Sequence, residues 1–305
     1  MRPFRFAVQI AGAPTGGEWL DLARRMEALG YGTISMPDHV VGDAFAGFPA
    51  LAAAAAVTSR MRVGNLVLNN DLRNPLLVAR EALTLDALSG GRLELGIGAG
   101  WLEGDYESLG ISFDPPRVRI ARLGEAVRLI KRLLTEDEVS FKGRFYQLAR
   151  ARAFPRPVQR PRPPILVAGG GPRLLELAAR EADIVGLFVT RHFTRARALD
   201  FSRASAEMQV THVREHAAGR ELELNVTITD LVVTDDRRGA IAQVASEREQ
   251  DERTIETSPY VLIGSLDEIR RHLAAIRDAL GISYFSLRGA SVETVAPVVR
   301  ELTGS

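Results

Sequence analysis

The chain has 305 residues, of which 46% are hydrophobic and 25% charged, an ordinary globular composition that is ample for a large core. Its net charge of +1 gives no bulk electrostatic attraction to nucleic acid or to a membrane surface. The absence of cysteine excludes disulfides, iron–sulfur clusters, thiolate zinc sites and cysteine nucleophiles.

The amino terminus predicts neither a signal peptide nor a membrane anchor. Its first residues, MRPFRFAVQI, are too short and too interrupted for a signal peptide, and no apolar run along the chain is long enough to span a bilayer. We therefore expect a soluble cytoplasmic protein whose partner is a small molecule rather than nucleic acid or a membrane.

Short β-branched or aromatic runs alternate with helical patterns along the whole chain. Strands are predicted over residues 4–10, 33–36, 63–68, 93–97, 165–168, 184–189, 225–234, 260–263 and 284–287. Helices are predicted over residues 18–29, 49–58, 75–88, 118–134, 172–180, 194–217, 239–252 and 266–279. A hairpin over 139–148, turning at Lys142-Gly143, and a proline-rich connection over 154–164 indicate an insertion at 136–163 within one domain spanning 1–305.

This repetition of strand and helix, about eight times, favours a (β/α)8 TIM barrel, an α/β fold of roughly 250 residues plus insertions. The alternative is a doubly wound open sheet, which should carry a glycine fingerprint in its first strand–helix turn. That turn reads Ala11-Gly12-Ala13-Pro14, and in the later Gly96–Trp101 segment a tryptophan replaces the last required glycine. We therefore predict the barrel.

The segment 61–101 is the most informative part of the chain. A predicted strand runs into Asn69-Asn70-Asp71, and a second predicted strand runs into Gly98-Ala99-Gly100-Trp101. Ligands bind at the carboxyl ends of strands in parallel sheets and barrels, so polar, glycine and aromatic residues at two strand ends indicate a site. Trp101 would stack on a planar cofactor or wall a substrate pocket, or else pack as a plain lid residue.

Asp38 and His39 follow the second predicted strand directly. A histidine in that position can act as general acid, general base or charge stabiliser near neutral pH. The alternative is a loop histidine beside an aspartate that caps a turn.

Three glycines, Gly169, Gly170 and Gly171, separate a predicted strand from a helix that opens at Pro172. Such a loop lets a ligand approach the backbone closely and presents the N–H groups of a helix start, as phosphate sites do. The alternative is a simple flexible turn, which has the same composition.

The segment His212-Val-Arg-Glu215-His216 matches an inverted zinc-protease motif. Because it lies near the end of an arginine-rich helix, where a histidine is favoured by the helix dipole, we predict no metal there.

Taken together, the motifs resemble the luciferase-like flavin and deazaflavin oxidoreductases, particularly the branch that uses coenzyme F420. The matching segments are LARRMEALGYGTISMPDHV, VGNLVLNNDLRNPLLVAREALTLDALSGGRLELGIGAGW, PILVAGGGPRLLELAAREADIV and VLIGSLDEIRRHL. The resemblance spans nearly the whole chain and implies a (β/α)8 barrel with the cofactor across the carboxyl ends of its strands.

The resemblance also implies roles for single residues. His39 matches a histidine beside the reactive ring, and a cis peptide between two non-proline residues is expected at Leu66-Val67. The catalytic residues are then expected to be His39, Asp38, which would orient it, and Trp101. The residues expected to contact the cofactor are Leu66, Val67, Asn69, Ala99, Gly100, Ala168, Gly169, Gly170 and Gly171.

The resemblance implies an oxidoreductase that moves a hydride between F420 and a small organic substrate, as a homodimer. The alternatives are an FMN-dependent monooxygenase and a non-catalytic flavin- or deazaflavin-binding barrel. Sugar-phosphate dehydrogenases of this branch carry a tryptophan where this chain has Asp43 and a glutamate where it has Trp101. Both differences argue against glucose 6-phosphate as the substrate.

Overall fold

The computed structural model describes residues 1–191 and 199–305. The strands are β1 Arg5–Gln9, β2 Thr33–Met36, β3 Arg62–Asn65, β4 Leu68–Asn69, β5 Leu93–Gly98, β6 Val139–Lys142, β7 Gln147–Ala151, β8 Ile165–Gly169, β9 Ile184–Leu187, β10 Thr190–Arg191, β11 Leu199–Asp200, β12 Glu223–Thr227, β13 Asp230–Val233, β14 Val261–Gly264 and β15 Tyr284–Leu287. The helices are α1 Gly16–Ala28, α2 Gly47–Val57, α3 Pro75–Leu88, α4 Glu103–Leu109, α5 Pro116–Thr135, α6 Pro172–Glu181, α7 Arg203–His216, α8 Arg237–Arg248, α9 Glu252–Thr257, α10 Leu266–Leu280 and α11 Ala296–Leu302.

The fold is the predicted (β/α)8 barrel. Among the described residues its parallel strands follow one another in chain order as β1, β2, the interrupted strand β3–β4, β5, β8, β9, β12 and β15. Strands β2, β5 and β9 are buried along their whole length, as expected for strands covered by helices on one face and by the barrel interior on the other.

The chain divides into two compact units, one formed by Met1–Gln9, Arg25–Thr33 and Ala168–Ser305. In this unit β9, β12, β15 and β1 pair in parallel, and Phe4, Phe6 and Phe285 cluster with ring centroids 5.9–6.0 Å apart.

The other unit consists of Ile10–Arg24 and Ile34–Val167. Here β3, β4 and β8 pair in parallel with β5. Helix α3 starts as predicted, with Pro75 in its first turn and the Asn74 side chain accepting a hydrogen bond from Leu76 N at 2.9 Å.

Two predicted elements are divided in the structure. The strand predicted over 225–234 breaks into β12 and β13, because Ile228 N donates to Ser286 O while Thr229 N donates to Tyr260 O, so the strand changes partner there. The helix predicted over 239–252 ends where Glu249 adopts a left-handed conformation, and Asp251 then caps α9.

Other differences lie at element ends and in short helices. The sequence patterns did not predict α4 or α11, and the hairpin β6–β7 turns over residues 143–146 rather than at Lys142-Gly143. Helix α7 covers only part of the predicted 194–217, whose residues 194–198 lie outside the described residues. Within the described ranges, every helix is too short or too polar to cross a membrane.

Candidate active site

His39 lies just beyond the carboxyl end of β2, and its imidazole is held by a buried carboxylate. His39 Nδ1 is 2.8 Å from Asp105 Oδ2, and Asp105 is 1% exposed. The other carboxylate oxygen accepts hydrogen bonds from Val40 N at 2.9 Å and Val41 N at 3.2 Å. Since an ionised carboxylate only accepts hydrogen bonds, Nδ1 carries the proton of the neutral imidazole, and Nε2 of that form holds the lone pair. The site therefore presents an oriented imidazole with a free basic nitrogen.

Asp38 does not orient His39, which corrects the role expected from the sequence. Its carboxylate is buried and forms a two-point ion pair with Arg73, in which Arg73 Nη2 lies 2.8 Å from Oδ1 and Nη1 contacts Oδ2. Asp38 Oδ2 also accepts from Asn69 N at 2.9 Å. Neighbouring side chains of an extended segment point to opposite sides, so Asp38 and His39 face different partners. Asp38 thus holds the last residue of β4 through Asn69 N and the segment that follows through Arg73.

The peptide bond between Leu66 and Val67 is cis, as the resemblance implied. It separates β3 from β4, with Leu66 buried and Val67 half-buried. The interruption ends two residues before Asn69, so both lie at the carboxyl end of the same interrupted strand.

Asn69 offers a buried hydrogen-bond donor that the described residues leave unpaired. Its Oδ1 accepts from Asp71 N at 3.1 Å and lies 3.2 Å from the Tyr106 hydroxyl, whereas its Nδ2 has no partner in the part of the chain that the structure describes. Leaving a buried donor unpaired costs about 1–3 kcal/mol. A ligand with an acceptor atom at this place would remove that penalty.

Tyr106 links the ends of β4 and β5. Its hydroxyl lies 3.2 Å from Asp71 Oδ2 and 3.4 Å from Ala99 O, in addition to the contact with Asn69. Burial raises the pKa of Tyr106 above its ordinary value, and the nearby Asp71 carboxylate acts in the same direction. The hydroxyl therefore stays protonated and keeps donating at neutral pH.

Ala99, Gly100 and Trp101 follow β5 directly. Gly100 has φ of +70°, and a Cβ there would overlap the Tyr106 hydroxyl, so a side chain is excluded on two grounds. Arg119 Nη1 donates to Gly100 O at 2.5 Å. Trp101 is 68% exposed and meets the His39 ring edge-on, with centroids 5.7 Å apart and planes at 89°. It thus forms an aromatic wall beside the imidazole.

The glycine segment belongs to the unit formed by Met1–Gln9, Arg25–Thr33 and Ala168–Ser305. Ala168 and Gly169 end β8, and α6 begins after Gly171, whose backbone carries no side-chain cap. A Cβ on Gly171 would meet nothing within 4 Å, whereas one on Gly170 would lie 2.9 Å from Phe188 O. The first N–H groups of α6 therefore have no side-chain cap, and the space beside Gly171 is open. An anion site requires both features.

Gln209, on α7, braces this glycine segment. Its side-chain amide donates to Gly170 O at 3.2 Å and to Phe188 O at 3.0 Å, and its carbonyl oxygen accepts from the Tyr260 hydroxyl at 3.0 Å. Gln209 is 5% exposed, so the brace is internal to the protein.

Sequence patterns missed three of the residues that shape these sites: Asp105, Arg73 and Gln209. Asp105 stands in the first turn of the unpredicted helix α4, four residues after Trp101. The nearness of Asp105 to the end of a predicted strand was the available indication of a role in the site. Spacing alone, however, does not reveal which carboxylate faces His39.

The model of the luciferase-like monooxygenase family matches residues 2–254. The F420-dependent glucose-6-phosphate dehydrogenase of Kineococcus radiotolerans is 40% identical over 174 residues, which are 55% of this chain and 51% of that protein. The FMNH2-dependent dimethylsulfone monooxygenase of Pseudomonas putida is 27% identical over 195 residues, 64% of this chain and 50% of that protein. The chain thus spans about half the length of the curated relatives it matches.

A solved structure gives the same fold over the entire chain. The coenzyme F420-dependent tetrahydromethanopterin reductase of Methanopyrus kandleri superposes with a TM-score of 0.79, covering 99% of this chain and 98% of that one at 18% identity.

Proposed function

This chain belongs to the luciferase-like monooxygenase family, and we propose that within it the protein is an oxidoreductase that transfers a hydride between coenzyme F420 and a small organic substrate. The observation that carries the proposal is the imidazole of His39, held by Asp105 at 2.8 Å and bordered by Trp101. The similarity to an F420-dependent dehydrogenase, at 40% identity, supports the choice of cofactor.

The residues present fit such a cofactor. Asn69 Nδ2 is a buried donor without a partner among the described residues, and the start of α6 is uncapped beside Gly171. We expect Asn69 to donate to a ring or ribityl oxygen and the backbone N–H groups near Gly169, Gly170 and Gly171 to bind the phosphate. The backbone at Leu66, Val67, Ala99, Gly100 and Ala168 is proposed to complete the contacts. When bound, F420 supplies the hydride acceptor or donor at its C5 position.

His39 is the proposed proton carrier. Its Nε2 lone pair takes a proton from the substrate, or returns one in the reverse direction, while Asp105 balances the positive charge that forms on the ring. Trp101 limits access of water to this nitrogen on one side. His39→Ala should therefore reduce turnover strongly and leave cofactor affinity within several-fold, because the imidazole acts on the substrate rather than on the phosphate tail.

The substrate proposed is not a sugar phosphate, although the Kineococcus relative is named for glucose 6-phosphate. Asp43 is exposed, and the Trp101 ring lies perpendicular to that of His39 with centroids 5.7 Å apart. In the sugar-phosphate dehydrogenases that this chain resembles, the first position carries a stacking indole and the second a carboxylate; Asp43 lacks the indole, and Trp101 lacks the carboxylate.

The second candidate is an FMN-dependent monooxygenase. The 27% identity to an FMNH2-dependent monooxygenase favours it, since both cofactors present a flat tricyclic ring and a phosphate. A non-catalytic cofactor-binding barrel is the third candidate, and the oriented imidazole with its free Nε2 argues against it.

The test is a titration of the purified protein with F420 and, separately, with FMN, followed by the quenching of cofactor fluorescence. Micromolar or tighter binding of F420 with weak binding of FMN supports the proposal. The reverse preference assigns the protein to the monooxygenases, and oxygen consumption becomes the next assay. Binding of F420 without hydride exchange across a substrate panel, in wild type and His39→Ala alike, would support the non-catalytic barrel.

We also propose a cytoplasmic homodimer that binds no nucleic acid. A groove of about 280 Å³ between α2 and α3 is bordered by Leu77 and Leu88, which are 52% and 66% exposed, and these side chains are proposed to be covered by a second copy. Light scattering after gel filtration should give twice the chain mass, and the double variant Leu77→Glu, Leu88→Glu should give the monomer. The net charge of +1 supports the lack of nucleic-acid binding.

A further inference from the structure

Three potential metal ligands meet near the carboxyl end of α7. His212, Glu215 and His216 each offer one ligand atom, and these atoms all lie within 4.8 Å of one another. The positions i, i+3 and i+4 share one helix face, and the two imidazole centroids are 4.2 Å apart. The proposed oxidoreductase activity uses none of these residues.

Each imidazole has one nitrogen engaged by a backbone carbonyl. His212 Nε2 lies 3.0 Å from Pro172 O, and His216 Nδ1 lies 2.8 Å from His212 O. A carbonyl oxygen can only accept, so these two nitrogens carry the protons, and in the neutral form of each ring the second nitrogen holds the lone pair. Metal-binding histidines in proteins characteristically donate their other N–H in this way, which fixes tautomer and ring orientation.

The surroundings favour a cation. The carbonyl end of an α-helix carries a partial negative charge; His216 lies in the last turn of α7, Glu215 directly precedes it, and His212 lies one turn earlier. Both histidines are half-buried and Glu215 is exposed, so an ion can reach the cluster from solvent. Zinc lies about 2.0–2.2 Å from nitrogen and oxygen ligands, and rotation of the exposed Glu215 side chain can close the remaining separation.

The sequence predicted no metal at this segment, but the geometry of the three side chains leads to the opposite conclusion. We infer that His212, Glu215 and His216 form a binding site for a divalent transition-metal ion, zinc in particular, with two imidazole nitrogens, one carboxylate oxygen and water as ligands. Nitrogen donors select such metals over magnesium or calcium, which prefer oxygen ligands. Because His212 also bonds to Pro172 O at the start of α6, the ion would hold α7 against the first turn of α6.

The test is a calorimetric titration of the full-length, chelator-treated protein with zinc chloride alone near neutral pH. We expect one zinc ion per chain with an affinity in the micromolar range. The double variant His212→Gln, His216→Gln should bind on the order of a hundredfold more weakly or worse. Glu215→Gln should weaken binding less, since it removes one of three ligands and retains an amide oxygen. His272→Gln, which removes a histidine on α10 outside the cluster, is the matched control and should bind as wild type does.

Nitrogen-15 NMR of the histidine rings of the wild-type protein gives a readout independent of how the variants fold. Substoichiometric zinc should shift the lone-pair nitrogens of His212 and His216 and leave those of His39 and His272 in place. Three outcomes would each overturn the inference. They are shifts confined to His39, unchanged zinc affinity in the double variant, and no binding at high micromolar zinc.

Discussion

Replacing Asp105 by asparagine should invert the tautomer of His39 while preserving its surroundings. The asparagine carbonyl can still accept from Val40 N and Val41 N, as Asp105 Oδ1 does at 2.9 and 3.2 Å. The amide nitrogen then faces His39 Nδ1 and can only donate to it. The imidazole proton must move to Nε2, where it blocks the nitrogen that we propose to accept a proton from the substrate.

The magnitude follows from the two contributions that the carboxylate makes. Loss of an oriented general base reduces rates by about 10²–10⁴-fold. A carboxylate about 4 Å from the charge on the ring contributes about 4 kcal/mol at an effective dielectric constant of 20, which lies within the same range. We therefore expect turnover to fall by about 10³-fold, with cofactor affinity changed less than threefold because Asp105 is not among the proposed cofactor contacts.

Two measurements check this prediction. Nitrogen-15 NMR of the neutral imidazole should show the proton on Nδ1 of His39 in the wild-type protein and on Nε2 in Asp105→Asn. The decay of F420 absorbance in a single turnover, with the substrate found by screening, reports the rate of hydride transfer separately from binding.

Glu103→Gln is the matched control, since Glu103 is an exposed carboxylate in the same first turn of α4 and should leave both readouts unchanged. If Asp105→Asn showed the inverted tautomer and wild-type turnover, His39 would not be the proton carrier. If the tautomer did not change, the assignment of the Nδ1 proton would be wrong.

Three predictions concern stability. Asp38→Ala should lower the free energy of unfolding by about 3 kcal/mol, because it leaves Arg73 without its carboxylate; a thermal midpoint within a degree of wild type would contradict this. Gly100→Ala should lower the free energy of unfolding by at least about 1–2 kcal/mol because of the positive φ alone. The new Cβ should also displace Tyr106, which would weaken the quenching of cofactor fluorescence. Unchanged stability would refute the overlap. Burial lowers the pKa of His272 from 6.5 to about 4, with like charge from Arg237 adding to the effect. Because the unfolded chain then takes up the proton first, stability should fall by up to about 3 kcal/mol as the pH drops from 6.5 to 4, and His272→Gln should remove that slope in urea unfolding.

The sequence predicts the barrel well because the alternation of strands and helices repeats along the chain. Helix α3 begins and ends where predicted, since Asn74 and Pro75 start it and glycines follow it. The break between β12 and β13 was not predictable, because it arises from two different hydrogen-bond partners, Ser286 and Tyr260, that are distant in the chain.

The sequence indicates where the candidate site residues lie along the strands, but it does not indicate their hydrogen-bond partners. His39, Asn69 and Trp101 stand at strand ends, where sequence periodicity places them. The partner of His39 comes from 66 residues further along the chain, on a short helix whose seven residues give too little periodicity to be recognised. Adjacency in sequence favoured Asp38, and the structure assigns that carboxylate to Arg73 instead.

The charges in the unit that contains His39 argue for an uncharged substrate. Arg73 is paired with Asp38, and Arg122 is paired with Asp71 and Asp114. Arg119 donates to the backbone carbonyl of Gly100 at 2.5 Å. These three cations are engaged by the protein itself, and releasing one to bind a phosphate or carboxylate would leave its present partner unpaired, at about 1–3 kcal/mol for a buried acceptor and more for a charged one. Beside the imidazole the structure places the ring of Trp101, and Nε2 of the neutral imidazole holds a lone pair; both suit a neutral molecule carrying one exchangeable proton. We therefore expect a panel of small neutral alcohols and carbonyl compounds to contain a substrate and a matched panel of phosphate esters to contain none; preference for the esters would show that one of the three arginines changes partner on binding.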